Sequence, residues 1–235
     1  MEILAPIRSA SIGASKIGSS KRFEAAGEMT RRDLEKLAAD RPLWMDVGCG
    51  DARFPYRLAR RNPDWLVVGL DAAREPMAKI ASRAVRPSRK HAAPNLVLVV
   101  AAVESIPEEL FGLASRVTVL FPWGSLLRSV VLGETGVVTS LCRLLAGSGS
   151  RFDVLLNDSL YEQAHVYEKL GLVRLTEEHL QDVVGPSFAA CGLSLAGDWL
   201  QVVANRRLPF ETTWGKRLSD SHPDGISWHL TFQMD

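Results

Sequence analysis

At 235 residues, 46% hydrophobic and 23% charged, the chain has the length and composition of one folded globular domain, which excludes disordered and fibrous classes. Its longest apolar run, Leu96–Val103, falls far short of the roughly 20 residues that cross a membrane. The net charge of +1 hides an asymmetry: residues 1–94 hold 18 Lys and Arg against 11 Asp and Glu, while residues 95–235 hold 10 against 16. The basic half is either a surface for a polyanion or a set of solvated helix faces.

Residues 1–40 read as a basic arm and a helix, and residues 41–235 as a single domain. Ala10–Ser20, which includes Lys16, is a hairpin or a flexible arm and runs into Lys21-Arg22. Met1–Ala10 lacks a basic-then-apolar leader, so a cytoplasmic location is expected. Thr30 and Asp33 have the spacing of a capping box for a helix over Arg31–Ala39. Leu43–Val47 is predicted as a buried strand, Gly48–Gly50 as a turn and Ala52–Arg61 as a helix ended by Asn62-Pro63. A second buried strand, Trp65–Asp71, precedes a helix over Ala72–Val85. That helix has Met77, Ile80 and Ala81 on one face and Lys79 and Arg83 on another. The loop Arg86–Pro94, with Arg89 and Lys90, is too basic and proline-broken for a core, and loops of this kind bind something.

Asn95–Ala101 is predicted as a third strand and Arg116–Phe121 as a fourth, the latter running into Pro122-Trp123-Gly124-Ser125. Helices are expected over Leu126–Leu132, Glu134–Leu145, Glu162–Leu170 and Glu177–Val183, with a fifth strand at Phe152–Asn157. Leu193–Val203 and Ile226–Met234 are read as the last two strands, and Phe210–Leu218 as a polar linker between them. Strands alternating with helices imply a parallel α/β sheet. An antiparallel last strand makes it the Rossmann-like, seven-stranded, mostly parallel sheet of class I methyltransferases. Ligands of such sheets sit at the carboxyl ends of the strands. Those ends carry Asp46 and Gly48, Asp71, Glu104 and Trp123.

Asp46-Val-Gly-Cys-Gly50 has two glycines where a backbone must approach a ligand. The dinucleotide fingerprint needs a third glycine, and Phe54 or Pro55 stands there instead. An acid at the strand end favours a cationic ligand over a pyrophosphate, so the loop is more like a site for S-adenosylmethionine (SAM) than for NAD. Asp71 is either the acid that binds ribose hydroxyls or an N-cap for the next helix. The three cysteines, Cys49, Cys142 and Cys191, match no metal or disulfide spacing, and no metal is expected. Trp123 follows a proline at a strand end; it is either a platform for a base or a core residue. Trp214, beside Lys216 and Arg217, is either a nucleotide contact or a cover for the sheet edge.

The strings Asp46-Val-Gly-Cys-Gly-Asp51, Leu70-Asp71, Pro94-Asn95-Leu96, Phe121-Pro-Trp-Gly-Ser-Leu-Leu-Arg128 and Trp214-Gly-Lys-Arg-Leu218 together resemble the Kam-type aminoglycoside-resistance methyltransferases. That family methylates N1 of adenine 1408 in the decoding A site of 16S rRNA within the 30S subunit. The resemblance implies that Asp46, Gly48 and Gly50 hold the methionine part of SAM and that Asp71 binds its ribose. It implies that Ala102, Val103 and Glu104 border the adenine, and that Leu120 and Ser125 line the pocket near the methyl. Trp123 and Trp214 are expected to sandwich the flipped target base, with Lys216 and Arg217 on nearby phosphates. Lys79, Arg83, Arg86, Arg89 and Lys90, with Lys16, Lys21 and Arg22 of the arm, are expected to dock on folded rRNA by shape. A monomer suits that surface.

Two positions depart from the family pattern. Ala52 stands where a glycine is usual, and Ser219–Asp224 has no arginine where the family places more. Two other readings remain on the sequence alone. One is a SAM-dependent enzyme acting on another RNA or a small molecule. The other is a non-catalytic RNA-binding factor on the same fold.

Overall fold

The computed structural model describes residues 2–5, 29–86, 92–157, 164–195 and 198–235. The expected hairpin, Lys16, Lys21, Arg22, Arg89 and Lys90 lie outside the described residues.

The strands are β1 (Glu2–Ala5), β2 (Leu43–Val47), β3 (Leu66–Asp71), β4 (Leu96–Val100), β5 (Arg116–Leu120), β6 (Arg151–Asn157), β7 (Leu193–Ser194), β8 (Leu200–Ala204) and β9 (Ile226–Met234). The helices are α1 (Arg31–Ala38), α2 (Arg53–Arg61), α3 (Arg74–Ala84), α4 (Gly124–Val131), α5 (Thr135–Cys142), α6 (Ala164–Leu170), α7 (Glu177–His179), α8 (Gly185–Ala189) and α9 (Thr213–Ser221). A π-helical stretch, Leu180–Val184, joins α7 to α8.

The strands form one sheet in the order β1-β4-β3-β2-β5-β6-β9, with β7 and β8 both on the outer side of β9. The five from β4 to β6 are parallel, and β9 runs antiparallel to β6. The expected sheet is present with two additions. Glu2–Ala5, read as lead-in, pairs antiparallel with β4 at the far edge. The sixth position is split into β7 and β8, where one long strand was expected.

Alternation along the strands sends side chains to two layers. Leu66, Val68 and Leu70 join the larger core with Leu34, Val130, Val138 and Phe188 of the helices on one face. Val67, Leu96 and Leu98 meet Tyr56, Ala59, Met77 and Ile80 of α2 and α3 on the other. Gly69 allows that second layer to close, because a Cβ there would lie 2.9 Å from Leu98 and 3.0 Å from Pro55. In the first layer Phe188 stacks on Phe232 with centroids 4.5 Å apart. Truncating such a phenylalanine costs about 3–5 kcal/mol.

The fully buried Asp153 of β6 accepts from Arg116, Arg151 and His229, and so ties β5 to β9. Burial alone would raise its carboxyl. The hydrogen bonds from His229 and Arg151 and the charges of Arg116 and Arg151 outweigh that and hold it below the usual carboxylate range.

Candidate active site

The glycine loop is held by the end of β3. The N–H groups of Gly48 and Cys49 donate to the Leu70 carbonyl at 2.8 and 3.1 Å, and that of Gly50 to Asp71 Oδ2 at 2.8 Å. Gly48 (φ +75°) and Gly50 (φ +55°) are left-handed, which is the reason for glycine at both. Space differs between them. A Cβ on Gly48 would strike Leu126 of α4 at 2.7 Å, whereas nothing lies within 4 Å of one on Gly50. The loop therefore presents an open backbone surface at Gly50, beside Asp71. Ala52 is also left-handed at φ +55°, which accounts for the usual glycine there.

Asp46, the fourth residue of β2, is 3% exposed. Its register partners are Gly69 on β3 and Thr118 on β5. Thr118 Oγ1 donates to Asp46 Oδ1 at 2.7 Å. Burial pushes the carboxyl up to about 7, Thr118 restrains the rise, and the charge of Asp71 adds to it. Among the described residues no cation contributes to the environment of this buried acid, which fits a ligand that brings a positive charge. Asp71 is not the N-cap of α3; that position is Ala73, which makes no side-chain cap hydrogen bond. Asp71 Oδ1 accepts from the Ala73 N–H at 2.8 Å in the turn before the helix, and Oδ2 accepts from the Gly50 N–H. A carboxylate has about four acceptor positions, so capacity for ribose hydroxyls remains. Burial, with Asp46 and Asp71 nearby, pushes the Cys49 thiol well up, which leaves it a small packing residue.

At the end of β4, Ala102 is half-buried, Val103 buried and Glu104 exposed in a short 3-10 turn. The Ala101 N–H donates to the Asp71 carbonyl at 3.0 Å and keeps that turn beside Asp71. Leu120 packs with Leu155 and Phe210, and Ser125 is exposed in the first turn of α4. These residues fit SAM. Asp46 suits an ammonium, Asp71 a pair of hydroxyls, and the open face of Gly50 the close approach of the methionine portion.

Beyond the loop, Phe121 takes a left-handed φ of +53° and Gly124 one of +60°. This double reversal carries the chain out of β5, through Pro122, to expose Trp123 before α4 begins. Phe210–Leu218 is not a linker. Thr212 caps α9 by accepting from the Gly215 N–H at 2.8 Å, and Trp214 stands in the first turn of that helix. Thr213 Oγ1 donates to Asp51 Oδ2 at 3.0 Å and clips α9 to the glycine loop. A Cβ on Gly215 would lie 3.2 Å from the Phe121 ring, so α9 sits directly on the reversal.

Trp123 is 54% exposed and Trp214 41%. Both line one cavity of about 250 Å³, with Phe121, Pro122, Leu127, Leu156 and Asn157. Sequence reasoning missed Asn157, whose amide donates to Ser227 Oγ at 2.9 Å and the Ile226 carbonyl at 3.0 Å. Its only signal was a polar residue closing an apolar strand. It also missed Thr118, which lies 72 positions from its partner Asp46.

Lys216 and Arg217 are exposed on α9, Arg217 with its guanidinium 6.0 Å from the Trp214 ring. Lys79, Arg83 and Arg86 are exposed on and after α3, and Arg83 lies 5.4 Å from the Tyr56 ring. Among the described residues no cluster of metal-binding side chains occurs, and no single helix is long and apolar enough to cross a membrane.

The family model of NpmA, 16S rRNA (adenine(1408)-N(1))-methyltransferase, matches residues 24–231. The chain belongs to the NpmA family. A 16S rRNA (adenine(1408)-N(1))-methyltransferase of Streptoalloteichus tenebrarius is 35% identical over 177 residues, 75% of this chain and 80% of that protein. The enzyme of the same name from Escherichia coli is 28% identical over 74% and 80%. A crystal structure of a variant of the Catenulisporales acidiphilia enzyme with the cosubstrate SAM superimposes with a TM-score of 0.78. It is 33% identical and covers 90% of this chain and 94% of its own. As a member of the NpmA family the chain is a SAM-dependent rRNA methyltransferase, and its sheet is that of the family.

Proposed function

We propose that this protein methylates N1 of adenine 1408 in 16S rRNA, on the assembled 30S subunit, with the target base flipped out and stacked between Trp123 and Trp214. The observation that carries the reading is the cavity those two exposed tryptophans share, next to the cofactor loop. A large indole left half in water is costly unless something covers it. A flipped base is flat and apolar on both faces and fills that role. Flipping costs a few kcal/mol, and each stack returns about 1–3 kcal/mol.

The protein's part in the chemistry is small. N1 of adenine carries a lone pair and no proton, so no general base is required. Bound SAM supplies an activated methyl on a sulfonium. N1 bonds to the methyl carbon as the sulfur–carbon bond breaks, and the sulfur keeps the electron pair. The products are S-adenosylhomocysteine and a cationic N1-methyladenine. Asp46, Gly48, Gly50 and Asp71 hold the donor, and Trp123 and Trp214 hold the acceptor. The rate comes from alignment of the two. Leu120, Ser125 and Ala102–Glu104 border the donor, and Lys216 and Arg217 grip phosphates beside the flipped nucleotide.

Methylation adds bulk and charge to the Watson–Crick edge of a decoding-site base, and resistance to aminoglycosides is the expected consequence. The protein acts as a monomer in the cytoplasm on this reading. Tritium transfer from labelled SAM to purified small subunits tests it. Label in 16S rRNA is the expected result; label in small molecules or in no product overturns it.

A further inference from the structure

A cleft of about 720 Å³ lies outside the cofactor site. It lies between the start of α2, the 3-10 turn Asn205–Arg207 and α9. Arg53, Arg57, Arg206, Lys216 and Arg217 line it, against the carboxylates Glu211 and Asp220. Arg57 is held in place by donating to the Glu211 carbonyl, while Arg61 takes the Glu211 carboxylate at 2.9 Å. The cleft and the base cavity are both lined by α9, which places Trp214 in the cavity and Lys216 and Arg217 in the cleft.

Two lining arginines have nearby acids. Arg53 lies 3.5 Å from Asp51. Arg206 pairs with Asp224, and the two side chains are 51% and 85% exposed. Asp224 and Asp51 do not line the cleft. A pair this exposed is weak, so either member exchanges readily for a stronger partner. A phosphate offers Arg206 a doubly hydrogen-bonded contact that an exposed aspartate gives up at little cost.

We infer that this cleft is a phosphodiester groove for the RNA strand flanking the flipped base, in which Arg206 leaves Asp224 for a backbone phosphate, with Arg53 and Arg57 alongside. Ser219–Asp224 itself offers no Lys or Arg, so the cations at this end of α9 come from across the groove. The inference rests on the rRNA reading above and adds to it a set of contacts outside the base and cofactor sites. It makes Asp224 a competitor of the RNA.

The test is the affinity of the full chain for small ribosomal subunits, with S-adenosylhomocysteine present, across roughly 50 to 200 mM salt. Arg206→Gln should weaken binding about tenfold and make the salt slope shallower by about 1. Arg53→Gln should act in the same direction. Asp224→Asn should do the opposite and tighten binding about twofold to fivefold. SAM affinity, unchanged in all three, shows that each variant is folded. A pair that only braces the fold gives Arg206→Gln and Asp224→Asn losses of the same sign. That result, or no change in either, overturns the groove while leaving the methylation reading intact. Wild-type protein that neither binds nor methylates subunits overturns both.

Discussion

Asp46 makes cofactor binding depend on pH in a way its position dictates. On the proposed reading it must be ionised to hold the ammonium of SAM, yet burial in β2 pushes its carboxyl up to about 7 in the free protein. Binding then requires loss of a proton, and the apparent Kd scales as one plus the ratio of proton concentration to the acid constant. For a midpoint of about 7, Kd should be about ninetyfold weaker at pH 5 than at pH 8. The apo protein should respond in the opposite sense. The unfolded carboxyl titrates near 3.8 and the folded one near 7, so the folded state binds the proton more tightly. This group therefore adds stability as pH falls from 7 towards 4, by at most about 4 kcal/mol. Calorimetric titration of SAM between pH 5 and 8 reads the first effect directly. Asp46→Asn should abolish the pH dependence and weaken binding at pH 8. Thr118→Val removes the hydrogen bond that restrains the rise, so it should move the midpoint higher. A flat wild-type profile, or a pH dependence that survives in Asp46→Asn, would refute the assignment.

Other expectations follow from single residues. Asp153 is held low by His229, Arg151 and Arg116, so its contribution to stability is complete above about pH 4 and lost as pH falls through its folded value. Acid unfolding of an Asp153→Asn variant should show a shallower pH dependence in that window, read by circular dichroism. Gly124→Ala meets nothing within 4 Å, so its cost is backbone strain alone at φ +60°, about 1–2 kcal/mol in denaturant melts. Trp123→Ala and Trp214→Ala should each slow single-turnover methyl transfer about fivefold to 150-fold while SAM affinity stays constant, as stacking of about 1–3 kcal/mol requires.

Much of this architecture was legible from the chain. Buried runs such as Leu66–Asp71 and Leu96–Val100 are almost wholly apolar because parallel strands are covered on both faces, and that pattern reads directly. The glycine loop and the two strand-end acids were legible because each needs a residue type few other positions demand. What was hidden depends on long-range pairing or weak local signals. Glu2–Ala5 is too short to show a period and is a strand only because β4 has a free edge. No residue of Leu200–Ala204 is fully buried, so no buried run marks it off from the preceding residues. Helix α9 was obscured by Gly215, a poor helix former that is there because Thr212, Leu208 and Phe121 crowd its Cβ position. That Trp123 and Trp214 share a cavity was implied by the family resemblance alone and not by local pattern, since the two lie far apart in the chain and meet through the packing of Phe121 on α9.

The most direct test of the central claim is primer extension on 16S rRNA after purified small subunits are incubated with the protein, with and without SAM. A SAM-dependent stop at adenine 1408, seen with assembled subunits and not with free rRNA, is the expected result. A stop elsewhere, or none while SAM binding is intact, would contradict the target and leave a SAM-dependent enzyme of another specificity.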